Sequence, residues 1–168
     1  MAAPNILCDT KGMDETRWQE CRMHGPKGDI PYTVGGSDVA AIFGISPWVT
    51  PLELWMIKKG RIKPPAKSNP GQLKMGHLLE PIAAYFYGQK TGNIVEDDTN
   101  LYQHADYPYA LANLDRRFKR KADGEQGILE CKSCTYHKAS DWADGAVPYY
   151  YESVSYTHLR AHETLRHL

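Results

Sequence analysis

The sequence predicts an α/β (α+β) fold in which a central sheet is flanked by helices. Three strand-like runs follow one another in the second half of the chain, and segments with helical spacing precede and follow them. Turn residues separate the runs. We therefore predict a three-stranded meander formed by Ile94–His104, Tyr109–Phe118 and Gln126–Ser133.

One helix is predicted from its start signal. Thr50-Pro51-Leu52-Glu53 has the pattern of a capping box with proline at the first helical position. It opens a helix to about Lys59, whose Leu52 and Trp55 are expected in the core.

The other helices follow from caps and breakers. Ser37 or Asp38 caps a short helix that stops at Gly44. Further helices are predicted at Glu15–Arg22, Met75–Thr91 and Ala139–Asp144, with loops at His24–Val34 and Lys63–Gly71 and a loose N-terminal stretch to about Asp14.

Composition sets the class of protein. With 168 residues, 42% of them hydrophobic and 11% aromatic, the chain is long enough for one folded domain with its own core. No apolar run approaches a membrane span or a signal-peptide core, which predicts a cytoplasmic protein without a membrane partner. The 20 basic and 20 acidic residues balance, but positive side chains cluster at Lys58–Lys63 and Arg116–Lys121, where they can face phosphate.

A strand-like run near position 130 carries the pattern Glu-x-Lys. Side chains of a strand alternate between faces, so Glu130 and Lys132 point one way while Leu129 and Cys131 point the other. If the run containing Asp115 lies alongside, Asp115 and Glu130 can hold a hard divalent cation through oxygen. Lys132 can then steady an attacking water or the developing charge on a phosphate. On its own the tripeptide fits an ordinary half-exposed strand with an ion pair more readily, so its context decides.

Three sequence blocks supply that context, in an order and spacing that extend over about residues 17–153. They are Gly35–Trp48 with Thr50–Trp55, then Gly76–Ala83, and then a run from Asn113 through Asp115, Glu130 and Lys132 to Trp142 and Val147-Pro148. Together they resemble the YqaJ-like viral recombinase family, in the lambda-exonuclease-like branch of the PD-(D/E)xK nucleases. The resemblance implies a restriction-endonuclease-like core, with a central mixed sheet flanked by helices.

The resemblance also implies roles for individual residues. Asp115, Glu130 and Lys132 would be catalytic, and both carboxylates and the main-chain carbonyl of Cys131 would be metal ligands. Glu80, in the longest predicted helix, resembles the family's helical acid that closes the metal site.

Ser37 and Arg22 are the candidate substrate-binding residues that the resemblance implies. Ser37 would hold a 5′-phosphate beside a helix N-terminus, and Arg22 corresponds to an arginine that the family has shortly before the Gly-Gly-Ser block. Two features depart from the family pattern. Arg116 stands where the family has glycine, and an apparent insertion, His24–Val34, separates Arg22 from Ser37.

The function implied by the resemblance is that of a phage or prophage DNA nuclease dependent on Mg²⁺ or Mn²⁺. Such an enzyme is expected to degrade double-stranded ends 5′→3′ during recombination in a bacterial host. In the family these enzymes work with a single-strand annealing protein, and some form toroidal trimers, so a homo-oligomer is one expected state. Two other functions stay open: an endonuclease on the same core, and a DNA-binding module without catalysis.

Some cysteine and histidine residues are further candidates for metal ligands. Cys131-x-x-Cys134 has the spacing of half a zinc site, with Cys8 and Cys21 as the conceivable other half. Because Cys131 is expected on a packed face, we favour buried free thiols. His77 shares a helix face with the helical acid and is either a further ligand or a packed or hydrogen-bonded histidine. The second is favoured, because the family helix supplies only its acid.

The last segment, Val154–Leu168, differs in character from the rest of the chain. It resembles the conceptual translation of a transposon-based sequencing adapter and is excluded from the fold prediction. The alternative is a genuine amphipathic helix, since Leu159, His162, Glu163 and Arg166 fall at helical spacing. We therefore predict a flexible segment at 1–14, a nuclease domain at 15–153 that is incomplete at its C-terminal end, and a non-native tail at 154–168.

Overall fold

The structure is a computed structural model that describes residues 4–65, 70–134, 140 and 142. These residues belong to two compact units. The first unit comprises 4–64 and 99–113, and the second comprises the remaining described residues. The tail Val154–Leu168 and most of the helix predicted at Ala139–Asp144 lie outside the described residues. Among the helices described, none has the length and apolar character needed to cross a membrane.

Ten helices and strands are seen in the described residues. In chain order they are β1 (Asn5–Asp9), α1 (Glu15–His24), α2 (Gly36–Ile42), α3 (Pro51–Lys58), α4 (Pro70–Thr91), β2 (Ile94–Asp97), β3 (Asn100–Gln103), β4 (Leu111–Asn113), β5 (Arg116–Lys119) and β6 (Gln126–Leu129).

The first unit packs α1, α2 and α3 with an antiparallel sheet of order β1-β3-β4. Tyr102 of β3 lies opposite Ile6 on one side and Ala112 on the other. Its core is built around Cys21, Leu101 and Leu111.

The second unit pairs α4 with an antiparallel sheet of order β2-β5-β6. Phe118 of β5 lies between Val95 of β2 and Gly127 of β6. Phe118, Leu129, Cys131 and Ala84 are buried together, with Tyr87 packed against them. The end of β6, together with Cys131 in the Glu-x-Lys segment that follows it, therefore packs directly in this core.

The predicted mixed α and β class is confirmed, whereas the single meander is wrong. The run Ile94–His104 is divided into β2 and β3, and Tyr109–Phe118 is divided into β4 and β5. The cause is a strand within the N-terminal stretch that was expected to be loose: β1 pairs with β3, while β5 pairs with β6. All ladders among the described strands are antiparallel, and parallel pairing is limited to an isolated bridge between Val34 and Ala110.

The capping box of α3 forms as predicted. The Thr50 hydroxyl accepts the Glu53 N–H at 3.2 Å, and the Glu53 carboxylate accepts the Thr50 N–H at 2.8 Å. The expected burial of Leu52 and Trp55 is wrong, because these side chains are 65% and 47% exposed. Within the first unit α3 contacts α2, and the guanidinium of Arg61 lies 5.0 Å from the centroid of the Trp55 ring.

Gly127 is required by the packing of the second unit. A Cβ added there would lie 2.5 Å from Cζ of Phe118, a buried ring that occupies the facing position on β5. We expect Gly127→Ala to destabilise the protein by about 1–3 kcal/mol, since a dense core resists added volume. Thermal unfolding followed by circular dichroism measures this. Gly88→Ala is the control, because its new methyl would make only ordinary contacts at 3.5 Å; an equal melting temperature for both variants would refute the packing argument.

Candidate functional site

The Glu-x-Lys pattern lies immediately after β6. Leu129 and Cys131 are buried, Glu130 is half-buried and Lys132 is exposed. The Lys132 ammonium donates a hydrogen bond to the Glu130 carboxylate, so the two side chains meet on one side of the chain. The alternation predicted from the sequence is therefore confirmed, and it continues three residues beyond the end of β6.

Asp115 is hydrogen-bonded to the Glu-x-Lys segment. It occupies the bend that precedes β5. Its Oδ2 accepts a hydrogen bond of 2.7 Å from the main-chain N–H of Cys131. The carboxylate of Asp115 is thus held beside the peptide that joins Glu130 to Cys131, as expected if the run containing Asp115 lies alongside the Glu-x-Lys run.

Glu80 enters from α4. Its carboxylate lies 3.3 Å from Nδ1 of His77, one helical turn earlier. His77 is 77% exposed on its side chain, so it is not a packing residue. Its contact with Glu80 agrees with the hydrogen-bonded alternative.

The thiol of Cys131 reports on the acids around it. Burial raises the pKa of Cys131 to about 11, with further raising by Asp115, Glu80 and Glu130 and an opposing effect of Arg116. Carboxylates on α4, in the bend before β5 and just after β6 therefore all raise the pKa of this buried thiol. We call Glu80, Asp115, Glu130, Cys131 and Lys132 the acidic cluster.

The donor set of the acidic cluster fits a hard divalent cation. Carboxylate oxygens and a main-chain carbonyl are the ligands preferred by Mg²⁺ and Mn²⁺. In the arrangement seen, each carboxylate contacts a group of the protein: His77, the Cys131 N–H or Lys132. Within the described residues, no three His, Cys, Asp or Glu side chains converge at metal-binding distance.

The four cysteines are free thiols, but they are not all buried. Cys21 and Cys131 are buried, Cys8 is intermediate and Cys134 is exposed. The expectation of buried thiols is therefore confirmed for two of them and wrong for Cys134.

Thiol reactivity gives a direct test of the environment of Cys131. With a pKa raised to about 11, its thiolate makes up roughly a thousandth of the population at pH 8, and the thiolate is the reactive form. We expect iodoacetamide to label exposed Cys134 at least tenfold faster than Cys131 in the native protein. Mass spectrometry of labelled peptides measures both rates in one sample. Comparable rates in the native protein, with slow labelling of Cys21 as a folding control, would contradict the placement of Cys131.

A second cluster surrounds Arg22 in the first unit. The guanidinium lies 4.6 Å from the ring centroid of Trp18, and a Cβ added at Gly35 would lie 3.0 Å from its Nη2. Burial lowers the pKa of Arg22 from its usual value, while the charge of Asp38 opposes that effect. Arg22 therefore reaches the Gly-Gly-Ser block despite the insertion between them.

The inserted loop His24–Val34 folds back toward α1, which explains why Arg22 lies close to Gly35. Thr33, almost fully buried, donates its hydroxyl to the main-chain carbonyl of Arg22. Earlier in the loop, the Ile30 N–H donates to the His24 carbonyl at 3.0 Å. The loop thus ends close to the C-terminal end of α1, so that Gly35, which follows it, lies beside Arg22. The insertion therefore separates Arg22 from the block in sequence but not in space.

Asp38 and Lys58 also belong to this cluster, although the sequence predicted Asp38 only as a helix cap and Lys58 only as part of a basic run that can face phosphate. The Asp38 carboxylate accepts the Gly35 N–H and the Lys58 ammonium, each at 2.8 Å. Gly35, rather than Ser37 or Asp38, is the N-cap of α2. Ser37 is exposed, and within the described residues its hydroxyl has no hydrogen-bond partner. Asp38 at the third helical position was a readable capping signal, whereas nothing in the sequence links it to Lys58. We call Arg22, Gly35, Ser37, Asp38 and Lys58 the arginine cluster.

The basic run Arg116–Lys121 is largely engaged within the second unit. Arg116 pairs with Asp97 at 2.9 Å and Arg117 with Asp98 at 2.8 Å. Arg120 contacts Asp123 and Glu125. These three arginines stabilise turns and strand ends of the sheet, so the expected phosphate contacts would require them to exchange partners.

Comparison with known proteins shows the family to which this chain belongs. A model of the YqaJ-like viral recombinase domain matches residues 17–157. The uncharacterized protein YqaJ of Bacillus subtilis (strain 168) is 36% identical over 143 residues, which cover 85% of this chain and 41% of that relative. The chain thus spans less than half the length of the relative it matches. The matched region contains both clusters, and the chain belongs to the family of YqaJ-like viral recombinase domains.

Proposed function

We propose that this protein is a divalent-metal-dependent DNA nuclease of phage or prophage type that degrades double-stranded ends 5′→3′ during recombination. The observation that carries the proposal is the contact of Asp115 with the Glu-x-Lys segment: its Oδ2 accepts the Cys131 N–H at 2.7 Å, and on the same segment Lys132 donates to the Glu130 carboxylate. Membership of a viral recombinase family supports a role on DNA.

In this proposal Asp115, Glu130 and Glu80 hold Mg²⁺ or Mn²⁺, together with the main-chain carbonyl of Cys131. A bound divalent cation supplies Lewis-acid chemistry at a phosphate. Asp115 also fixes the segment that carries the other groups, through its bond to the Cys131 N–H. Lys132 places a positive charge on the side of Glu130, where it can stabilise negative charge that develops on the phosphate.

The arginine cluster would bind the 5′-phosphate of the DNA end. Arg22 is a permanent cation that stacks on Trp18 and reaches the turn before Ser37. The exposed hydroxyl of Ser37 adds a neutral donor. Asp38 holds the turn by accepting the Gly35 N–H and is itself held by Lys58. We also propose that the protein works with a single-strand annealing protein and that the chain associates with itself. Both proposals rest on family membership alone.

A digestion assay tests this function. Linear duplex DNA with 5′-phosphates and covalently closed circles of the same sequence are incubated with the protein and Mg²⁺, then with Mn²⁺. The proposal predicts loss of linear DNA only, and none in EDTA. Cleavage of the circles would favour an endonuclease. DNA binding with no metal-dependent cleavage of either substrate would favour a binding module without catalysis and overturn the proposal.

A further inference from the structure

Three aromatic rings lie next to one another, at tilted angles, in the hairpin that joins β3 to β4. His104 and Tyr107 have ring centroids 4.9 Å apart at an interplanar angle of 44°. Tyr107 and Tyr109 follow at 6.0 Å and 49°. Tyr107 is 54% exposed and Tyr109 is 50% exposed. The hairpin thus carries three neighbouring rings, of which the two tyrosines are exposed. We call these three residues the aromatic array.

Hydrogen bonds hold the array in place. Nδ1 of His104 accepts the main-chain N–H groups of Asp106 and Tyr107 at 3.1 and 3.3 Å. Two main-chain hydrogen bonds close the hairpin. The Ala110 N–H donates to the Tyr107 carbonyl at 2.8 Å, and the His104 N–H donates to the Ala110 carbonyl at 2.9 Å. Since these bonds fix the ring-bearing backbone, little conformational entropy is lost when a flat ligand stacks on it.

The array is joined to the arginine cluster through the main chain of the first unit. Val34 N–H donates to the Tyr109 carbonyl at 2.7 Å, and Leu111 N–H donates to the Val34 carbonyl at 2.9 Å. Gly35 follows Val34 directly, and a Cβ added at Gly35 would lie 3.9 Å from the Leu111 carbonyl and 3.0 Å from Arg22. The aromatic array and the Arg22 guanidinium are therefore connected through a continuous series of main-chain contacts in the first unit.

We propose that the aromatic array stacks unpaired nucleobases of a DNA strand whose phosphate lies in the arginine cluster. Exposed rings beside fixed cations are the combination that binds single-stranded nucleic acid, because every base has a π-face and every nucleotide a phosphate. Tyrosine rings suit this role, since they are rigid and amphipathic. Tyr32, two residues before Val34, is also exposed and carries the Lys59 ammonium 4.2 Å from its ring centroid, which extends the same pairing of ring and charge. The inference deepens the proposed function by naming single-stranded DNA as a bound species.

Binding of short oligonucleotides tests the proposal without any cleavage. A 5′-phosphorylated, 3′-fluorescein-labelled oligothymidylate is titrated with the intact chain in EDTA, and fluorescence anisotropy gives Kd. A second oligonucleotide of equal length replaces the first bases at the 5′ end by abasic sites. We expect Tyr107→Ala and Tyr109→Ala each to weaken binding of the base-bearing oligonucleotide roughly fivefold or more, and to leave abasic binding within about twofold.

Two matched variants separate stacking from bulk and from folding. Tyr107→Phe keeps the ring and should bind like the wild type, whereas Tyr107→Leu keeps apolar volume without a π-face and should bind like Tyr107→Ala. Thermal melting identifies any variant that unfolds, and the Phe and Leu pair then decides. An unchanged ratio of base-bearing to abasic affinity in every folded variant would overturn the inference. Base-dependent binding without metal-dependent cleavage would instead support base stacking on the aromatic array and contradict the proposed nuclease function.

Discussion

Asp115→Asn should lower Mg²⁺-dependent DNA cleavage by about a thousandfold or more while the protein stays folded. The substitution removes a hard anionic ligand, and metal-ion stabilisation of the reacting phosphate is worth several kcal/mol. The asparagine carbonyl can still accept the Cys131 N–H that Asp115 accepts at 2.7 Å. Cleavage rates and thermal melting of the same preparations measure both effects.

Two further substitutions sharpen this prediction. Asp123→Asn removes the same charge from an exposed carboxylate that pairs with Arg120 in the same unit, and it should leave cleavage unchanged. Asp115→Ala also loses the acceptor for the Cys131 N–H, so it should cost about 1–3 kcal/mol of stability in addition to activity. If Asp115→Asn cleaves at the wild-type rate, the carboxylate has no part in the reaction.

Arg22→Lys should reduce the preference for 5′-phosphorylated over 5′-hydroxyl ends by about ten- to a hundredfold. A hydrogen bond to a charged group contributes about 1.5–3 kcal/mol, and lysine cannot reproduce the planar fork or the stacking on Trp18. The quantity to measure is the ratio of kcat/KM for the two kinds of end. Ser37→Ala should lower the same ratio by a smaller factor, because a neutral hydroxyl is lost.

Arg17→Lys provides the matched control for Arg22→Lys. Arg17 lies on the same helix and is exposed, with its guanidinium on the Pro26 carbonyl at 2.7 Å. Its replacement should not move the ratio. A ratio unaffected by Arg22→Lys in a protein with normal melting would show that the arginine cluster does not bind the terminal phosphate.

Local rules account for what the sequence could predict. The alternation of side chains placed Glu130 beside Lys132 and Cys131 in the core. The pairing of Thr50 with Glu53 required only the spacing of a capping box. Because these features depend on residues only a few positions apart, they can be predicted from one sequence.

Long-range pairing accounts for what could not be predicted. β1 pairs with β3 across most of the described chain, and no turn signal joins them. This pairing divides the strand runs between two sheets, which periodicity alone cannot reveal. Arg22 reaches Gly35 because Thr33 closes an irregular loop. Asp38 and Lys58, twenty residues apart, meet only in the folded unit.

Binding of Mn²⁺ tests most directly whether the acidic cluster is a metal centre. Mn²⁺ is titrated by electron paramagnetic resonance into the wild-type chain and into its Asp115→Asn, Glu130→Gln and Asp123→Asn variants, without DNA. We expect the wild type and Asp123→Asn to bind alike, and the two cluster variants to bind at least about tenfold more weakly, as losses of metal-site contacts do. Equal Mn²⁺ affinity in all four folded proteins would contradict the assignment of Asp115 and Glu130 as metal ligands.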